Sequence, residues 1–217
     1  MLYLDCCCGI AGDMFAGALM DLGAESDSIV DLLSNIADVD VTKVVKKGVS
    51  ATRLRVSYPS DMEEYSSLVE KVKDLSLSLK AEAFALSVLE NLAKAEAVAH
   101  DVALKDVHLH EAADSIVDAV AAALALEELN LLEASFYSST VSVGYLAPAT
   151  LEIMRVNSIP SRKVSGAEIV TPTGASILAA LSPEYVGEQP FGGREGFGAG
   201  EKDFTYPNVL RVVLADG

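Results

Sequence analysis

The chain has 217 residues, 51% of them hydrophobic and 22% charged, enough apolar material for a real core and too little charge for a disordered segment. Thirty-two acidic residues face 16 basic ones, a formal net charge of −16. Nucleic acid and anionic membrane surfaces, which need basic footprints, are therefore excluded as expected partners. The acidity suits metal cations or cationic partners, or simply solubility.

The opening MLYLDCCCGI carries no basic segment ahead of its apolar residues, so no secretory signal is read. All three cysteines are adjacent, Cys6 to Cys8, which does not make a disulfide framework; a cytoplasmic, reducing location is the expectation. LYLDCCC reads as a short buried strand. GIAGDMFAGALMDLGA reads as a glycine turn feeding a helix, with Asp13 near its start and Gly23 just past its end. SIVDLLSNIA continues at helical spacing, and VTKVVKKGVSATRLRVSY predicts a hairpin turning at Lys47–Gly48. YPSDMEEYSS is expected to be a loop into a helix around residues 62 to 75. KAEAFALSVLENLAKAEAVAH is a long helix rich in alanine and leucine.

DVHLHE follows as an extended segment and holds two of the three histidines, His108 and His110, on the same side of a strand. A helix over 112–130 comes next, with Glu111, Asp114 and Asp118 at i, i+3 and i+7 on one face and Ile116, Val117, Val120 and Leu124 forming an apolar stripe. Asp118, Glu127 and Glu128 interrupt this stretch, so it is no membrane span. Three readings of this segment stay open: a metal site, an acid–base site, or a strand running into an amphipathic helix. Imidazole with carboxylate suits nickel, zinc, iron or manganese. His100 joins only if the chain folds back.

ASFYSSTVSVGY is read as one strand, and APATLEIMR as a helix from Pro148. AEIVTPTGASILAAL is a strand, a turn and a helix capped by Thr171. GGREGFGAGEKD is expected to be a glycine-rich loop, and NVLRVVLAD a closing strand. The irregular alternation with one hairpin predicts α+β or mixed α/β: a single domain, a mixed sheet packed by helices, strand order open. The backbone N–H groups around Gly9, Gly12 and Asp13, and those around Thr171, Thr173 and Gly174, are candidate anion sites at helix starts. The cysteines are either small buried hydrophobes or thiolates able to hold a soft metal.

Five of these stretches, in this order, resemble the LarC-type proteins, which insert nickel into the pincer cofactor of lactate racemase: LYLDCCCGIAGDMFAGALMDLG, HLHEAADSIVDAV, APATLEI, AEIVTPTGASIL and GFGAGEKD…PNVLRV. Matching positions are Asp5, Gly9, Gly12 and Asp13, then His108, His110, Glu111, Asp114, Ser115 and Asp118. Pro148 to Thr150 follow, with Glu168, Thr171 to Gly174, and finally Gly198, Gly200, Pro207, Asn208 and Arg211. Between TVSVG and APAT only Tyr145 and Leu146 stand where the family carries a glycine-rich run with a His-Gly pair. The resemblance implies a nickel-inserting lyase acting on a pyridinium bisthiocarboxylic acid mononucleotide, dependent on CTP with manganese or magnesium. It implies that residues 1–217 form the N-terminal domain, acting with a separate C-terminal partner chain; a homo-oligomer is compatible with it. On side-chain chemistry His108, His110, Glu111, Asp114 and Asp118 are the expected metal ligands, and Gly9, Gly12, Asp13, Thr171, Thr173 and Gly174 the expected mononucleotide contacts. If the cysteines take part in that insertion, they receive nickel transiently. The alternatives are a non-enzymatic subunit that binds or delivers nickel, and a structural remnant without a bound metal.

Overall fold

The structure, a computed structural model, describes residues 1–57, 62–187 and 192–215. Its centre is a seven-stranded mixed sheet whose strands, in spatial order, are residues 38–46, 49–57, 194–199, 209–214, 2–5, 136–138 and 184–185. The first strand, β1 (Leu2–Asp5), is buried along its whole length. It pairs antiparallel with β11 (Val209–Leu214) and parallel with β6 (Phe136–Ser138). Burial on both faces explains why LYLD reads as a continuous apolar run with little alternation. At one edge β2 (Asp38–Lys46) and β3 (Val49–Ser57) form the predicted hairpin. Both turn residues, Lys47 (φ 51°) and Gly48 (φ 90°), take positive φ, as a tight turn between twisted strands requires. At the other edge lies β9 (Glu184–Tyr185).

Helix α1 (Gly12–Leu22) packs on β3, β10 (Arg194–Ala199) and β11, and α5 (Ala112–Glu128) packs on α1. The long helix α4 (Leu79–His100) touches α5, α6 (Pro148–Val156) and α7 (Pro172–Leu181). Helices α2 (Ser26–Leu33) and α3 (Tyr65–Asp74) close the periphery. The fold is α/β, and no helix among the described residues is long and apolar enough to cross a membrane.

Five expectations need correction. GGREGFGAGEKD is no loop: residues 194–199 are strand β10. Its glycines serve close approach, since a Cβ at Gly198 would sit 1.7 Å from the Met14 carbonyl oxygen and one at Gly196 2.1 Å from that of Ala18. Only glycine lets α1 lie this near the sheet. ASFYSSTVSVGY is two strands in different sheets, β6 and β7 (Val141–Val143), the latter paired with β8 (Ser161–Lys163). In AEIVT the strand shrinks to one parallel bridge, Ile10 with Val170. The stretch into α3 contains a strand, β4 (Met62–Glu64), which pairs antiparallel with β5 (His108–His110); Tyr58 to Asp61 of that stretch lie outside the described residues, as does Asp216 at the end of NVLRVVLAD. Helix α5 is also buried nearly all round and has no single apolar stripe, because α1, α2, α3, α4 and α7 all contact it.

Candidate functional site

Three helix starts meet at one cavity of about 470 Å³. Helix α1 contributes Ala11, Asp13 and Met14; α5 contributes Glu111, Asp114, Ser115 and Asp118; α7 contributes Thr171, Pro172 and Thr173. Each start is set by its local sequence. Thr171 caps α7 by accepting the Gly174 N–H at 3.1 Å, with Pro172 at the first helical position. Glu111 takes a left-handed conformation (φ 54°, ψ 44°) between β5 and α5, turning the chain so that His110 and Asp114 line the same space. The α1 and α7 segments are stitched together by Ile10 N–H to Ile169 O (2.9 Å) and Thr171 N–H to Ile10 O (3.1 Å).

The cavity lining is strongly acidic. Among the described residues seven carboxylates border it, against two basic side chains, His110 and Lys202. The most constrained is Asp118, 3% exposed. It accepts the Asp13 backbone N–H, yet its Oδ1 is buried without a hydrogen-bond partner among the described residues. Burial first, then the neighbouring charges of Asp114 and Asp13, hold its carboxyl well above the usual range. The side chain fits only because Gly12 lacks a Cβ, which would lie 2.1 Å from Asp118 Oδ2. Asp13 itself is pushed up to about 7, chiefly by burial and then by Asp114 and Glu201, although its Oδ1 accepts the Met14 N–H at 2.7 Å. A buried carboxyl oxygen without a partner costs free energy, which a cation would recover.

The expected ligands are placed unequally. His110, Glu111, Asp114 and Asp118 line the cavity. His108 does not: it faces the same way along β5, but its Nδ1 lies 3.1 Å from Asp106 O and its Nε2 3.9 Å from Glu64. His100 pairs with Glu96 at 3.2 Å and stays outside. Among the described residues no group of three or more His, Cys, Asp or Glu is arranged to hold a metal ion as it stands. Of the expected mononucleotide contacts, Asp13, Thr171 and Thr173 border the cavity, whereas Gly9, Gly12 and Gly174 do not. The Gly9 N–H is committed to Cys6 O and the Gly174 N–H to Thr171, so neither is offered to an anion. These glycines serve packing: a Cβ at Gly9 would meet Ile169 O at 1.8 Å, and one at Gly174 would meet Ile10 O at 2.4 Å.

Sequence reasoning assigned no role to Glu96, Glu201, Lys202 or Phe204, all of which border the cavity. Glu168 and Asn208 were marked only as matching positions in the motifs. Lys202 pairs with Glu168 at 3.2 Å, and Asn208 anchors the Lys202 segment by donating to its carbonyl at 2.9 Å.

The cysteines divide. Cys6 is buried against Ser138 Oγ (3.6 Å), and burial pushes its thiol up to about 12. Cys7 is exposed and Cys8 half-buried, their sulfurs 3.7 Å apart. The contact between them raises Cys7 and lowers Cys8.

Residues 2–217 match the family described as nickel insertion protein. The chain belongs to that family. Among its relatives is a pyridinium-3,5-bisthiocarboxylic acid mononucleotide nickel insertion protein of Geobacillus kaustophilus, 35% identical over 249 residues, covering 100% of this chain and 60% of the relative. Proteins of the same name from Clostridium kluyveri (34% identical; 100% of this chain, 62% of the relative) and Staphylococcus epidermidis (33%; 99% and 59%) align over similar shares. The chain thus spans about 60% of the length of these relatives. No solved structure matches it.

Proposed function

We propose that this chain takes up Ni²⁺ in the acidic cavity and delivers it to a pyridinium bisthiocarboxylic acid mononucleotide, the cofactor of lactate racemase. The observation that carries the reading is the buried Asp118, whose Oδ1 has no partner among the described residues, in a cavity that seven of their carboxylates border. Nickel here is cargo. An ion that must leave is served poorly by a closed ligand set, so a loose arrangement of His110, Glu111, Asp114 and Asp118 suits the task. The two sulfurs of the substrate would complete the coordination, imidazole and carboxylate being acceptable to nickel meanwhile.

In this reading the substrate's phosphate sits at the cavity mouth, near Lys202, Thr171 and Thr173, where the α7 start supplies a favourable dipole. Its ring then points toward Asp118. As the nickel–carbon bond forms, the ring C–H bond gives its electron pair to nickel and its proton to a cavity carboxylate. We assign the CTP step, with its manganese or magnesium, to a further domain or partner chain, in keeping with the 60% coverage of the relatives.

Calorimetry with Ni²⁺ on the wild type, Asp118→Asn and His110→Ala tests the site. Binding weakened roughly tenfold or more in both variants is expected, since even outer partners of a metal contribute that much. Equal affinity in all three proteins would remove the site. Incubation with the mononucleotide, CTP and Ni²⁺, with and without the remaining portion of a relative, tests insertion. Turnover only with that portion is the expected result; Ni²⁺ binding without turnover in either mixture would leave delivery as the function.

A further inference from the structure

Cys7 and Cys8 take no part in the cavity just described. They occupy the two central positions of a turn closed by the Gly9 N–H donating to Cys6 O at 3.1 Å. The Cys7 N–H donates to Asp5 Oδ1 at 3.2 Å and fixes the start of that turn. Both thiols are free, both reach solvent, and their sulfurs stand 3.7 Å apart. Cys6 points away, into the core against Ser138.

The separation discriminates between chemistries. A disulfide needs its sulfurs about 2.05 Å apart. Two thiolates on one tetrahedral ion, each at about 2.3 Å, stand about 3.8 Å apart. A square-planar ion with similar bond lengths would draw them to about 3.3 Å. The spacing of 3.7 Å matches the edge of such a tetrahedron, so the two sulfurs need neither separate nor close to share an ion. The Asp5 carboxylate that holds the turn is itself paired with Arg211 at 3.5 Å, so it positions the thiols and the cation is left to them.

We infer that Cys7 and Cys8 form a two-thiolate clamp for a thiophilic divalent cation of tetrahedral preference, zinc being the prototype, with two positions left for ligands from outside the chain. Structural sites of this kind are closed by four protein ligands; an open pair suits capture and exchange. Cys8 lies three residues before Ala11, which borders the acidic cavity, so their Cα atoms are at most about 11 Å apart. The clamp nevertheless stands independently of what the cavity does.

Cobalt(II), a coloured stand-in for zinc, reads the site directly. The reduced full chain is titrated with Co²⁺ and then with Zn²⁺. We expect a sulfur-to-cobalt charge-transfer band with the intense visible bands of a tetrahedral ion, reached at one equivalent and abolished by Zn²⁺. Cys7→Ser/Cys8→Ser should lose the charge-transfer band and bind Zn²⁺ at least roughly tenfold more weakly, with its thermal midpoint recorded to show that it folds. Cys6→Ser, His110→Ala and Asp118→Asn should keep the band, which separates this clamp from the cavity. A weak octahedral spectrum in the wild type, or a band that persists in the double variant, overturns the inference.

Discussion

Replacing Asp13 by asparagine removes a carboxyl that the fold holds at about 7, against an ordinary value of 3.8. That rise corresponds to about 4 kcal/mol of disfavoured ionisation. Below about pH 3 the acid is protonated in both folded and unfolded chains, and it makes no difference to stability. Between there and about pH 7 the unfolded chain releases a proton that the folded chain keeps. Stability therefore falls as pH rises, by up to about 1.4 kcal/mol per unit, and above pH 7 the loss is complete. The amide of Asn can still accept the Met14 N–H, so little else is sacrificed. Asp13→Asn should be more stable than the wild type by a few kcal/mol at pH 8 and nearly equal to it at pH 4. Removing the charge also eases the ionisation of Asp118, which Asp13 opposes. Urea unfolding of both proteins at intervals from pH 4 to 8 reads the difference. A gap between the two proteins that does not widen with pH, or a variant less stable at pH 8, would refute the burial argument.

Asp118→Asn should likewise stabilise the metal-free protein near neutral pH, because burial raises its carboxyl, while weakening Ni²⁺ binding; thermal midpoints with and without Ni²⁺ check both halves. Gly12→Ala places a methyl 2.1 Å from Asp118 Oδ2 and 2.6 Å from its Cβ, and should cost about 1–3 kcal/mol in chemical unfolding as well as Ni²⁺ affinity. His108→Ala should leave Ni²⁺ calorimetry close to wild type while His110→Ala does not, since only His110 borders the cavity. Thr171→Ala leaves the Gly174 N–H uncapped and should cost about 1 kcal/mol in the same unfolding assay.

What could be read from sequence was what local chemistry decides. Lys47–Gly48 announces its hairpin because few dipeptides accept two positive φ angles in succession. The helices around Asp13, Pro148 and Pro172 announce themselves by glycine, proline and capping residues. The HLHE segment showed its strand, its helix and most of its cavity residues, because spacing along one helix fixes which side chains share a face. What escaped depended on distant partners. Gly196 and Gly198 look like loop residues until α1 is known to rest on them. Met62 to Glu64 become a strand only by pairing with His108 to His110, and His108 leaves the cavity for the neighbourhood of Asp106 and Glu64 by that same pairing. Glu201 and Lys202 enter the site from a turn after β10, with no spacing relation to the histidines.

The first strand sits fifth in the sheet order, between β6 and β11, more than a hundred residues away on either pairing. The helix starts around residues 12, 112 and 172 are likewise far apart in sequence and meet only in the folded chain. A chain still emerging from the ribosome therefore has the separate acidic residues but not the chamber. Its long-range pairings must close before any ion can be enclosed. On the proposed reading, taking up Ni²⁺ is therefore an event in the life of the finished molecule.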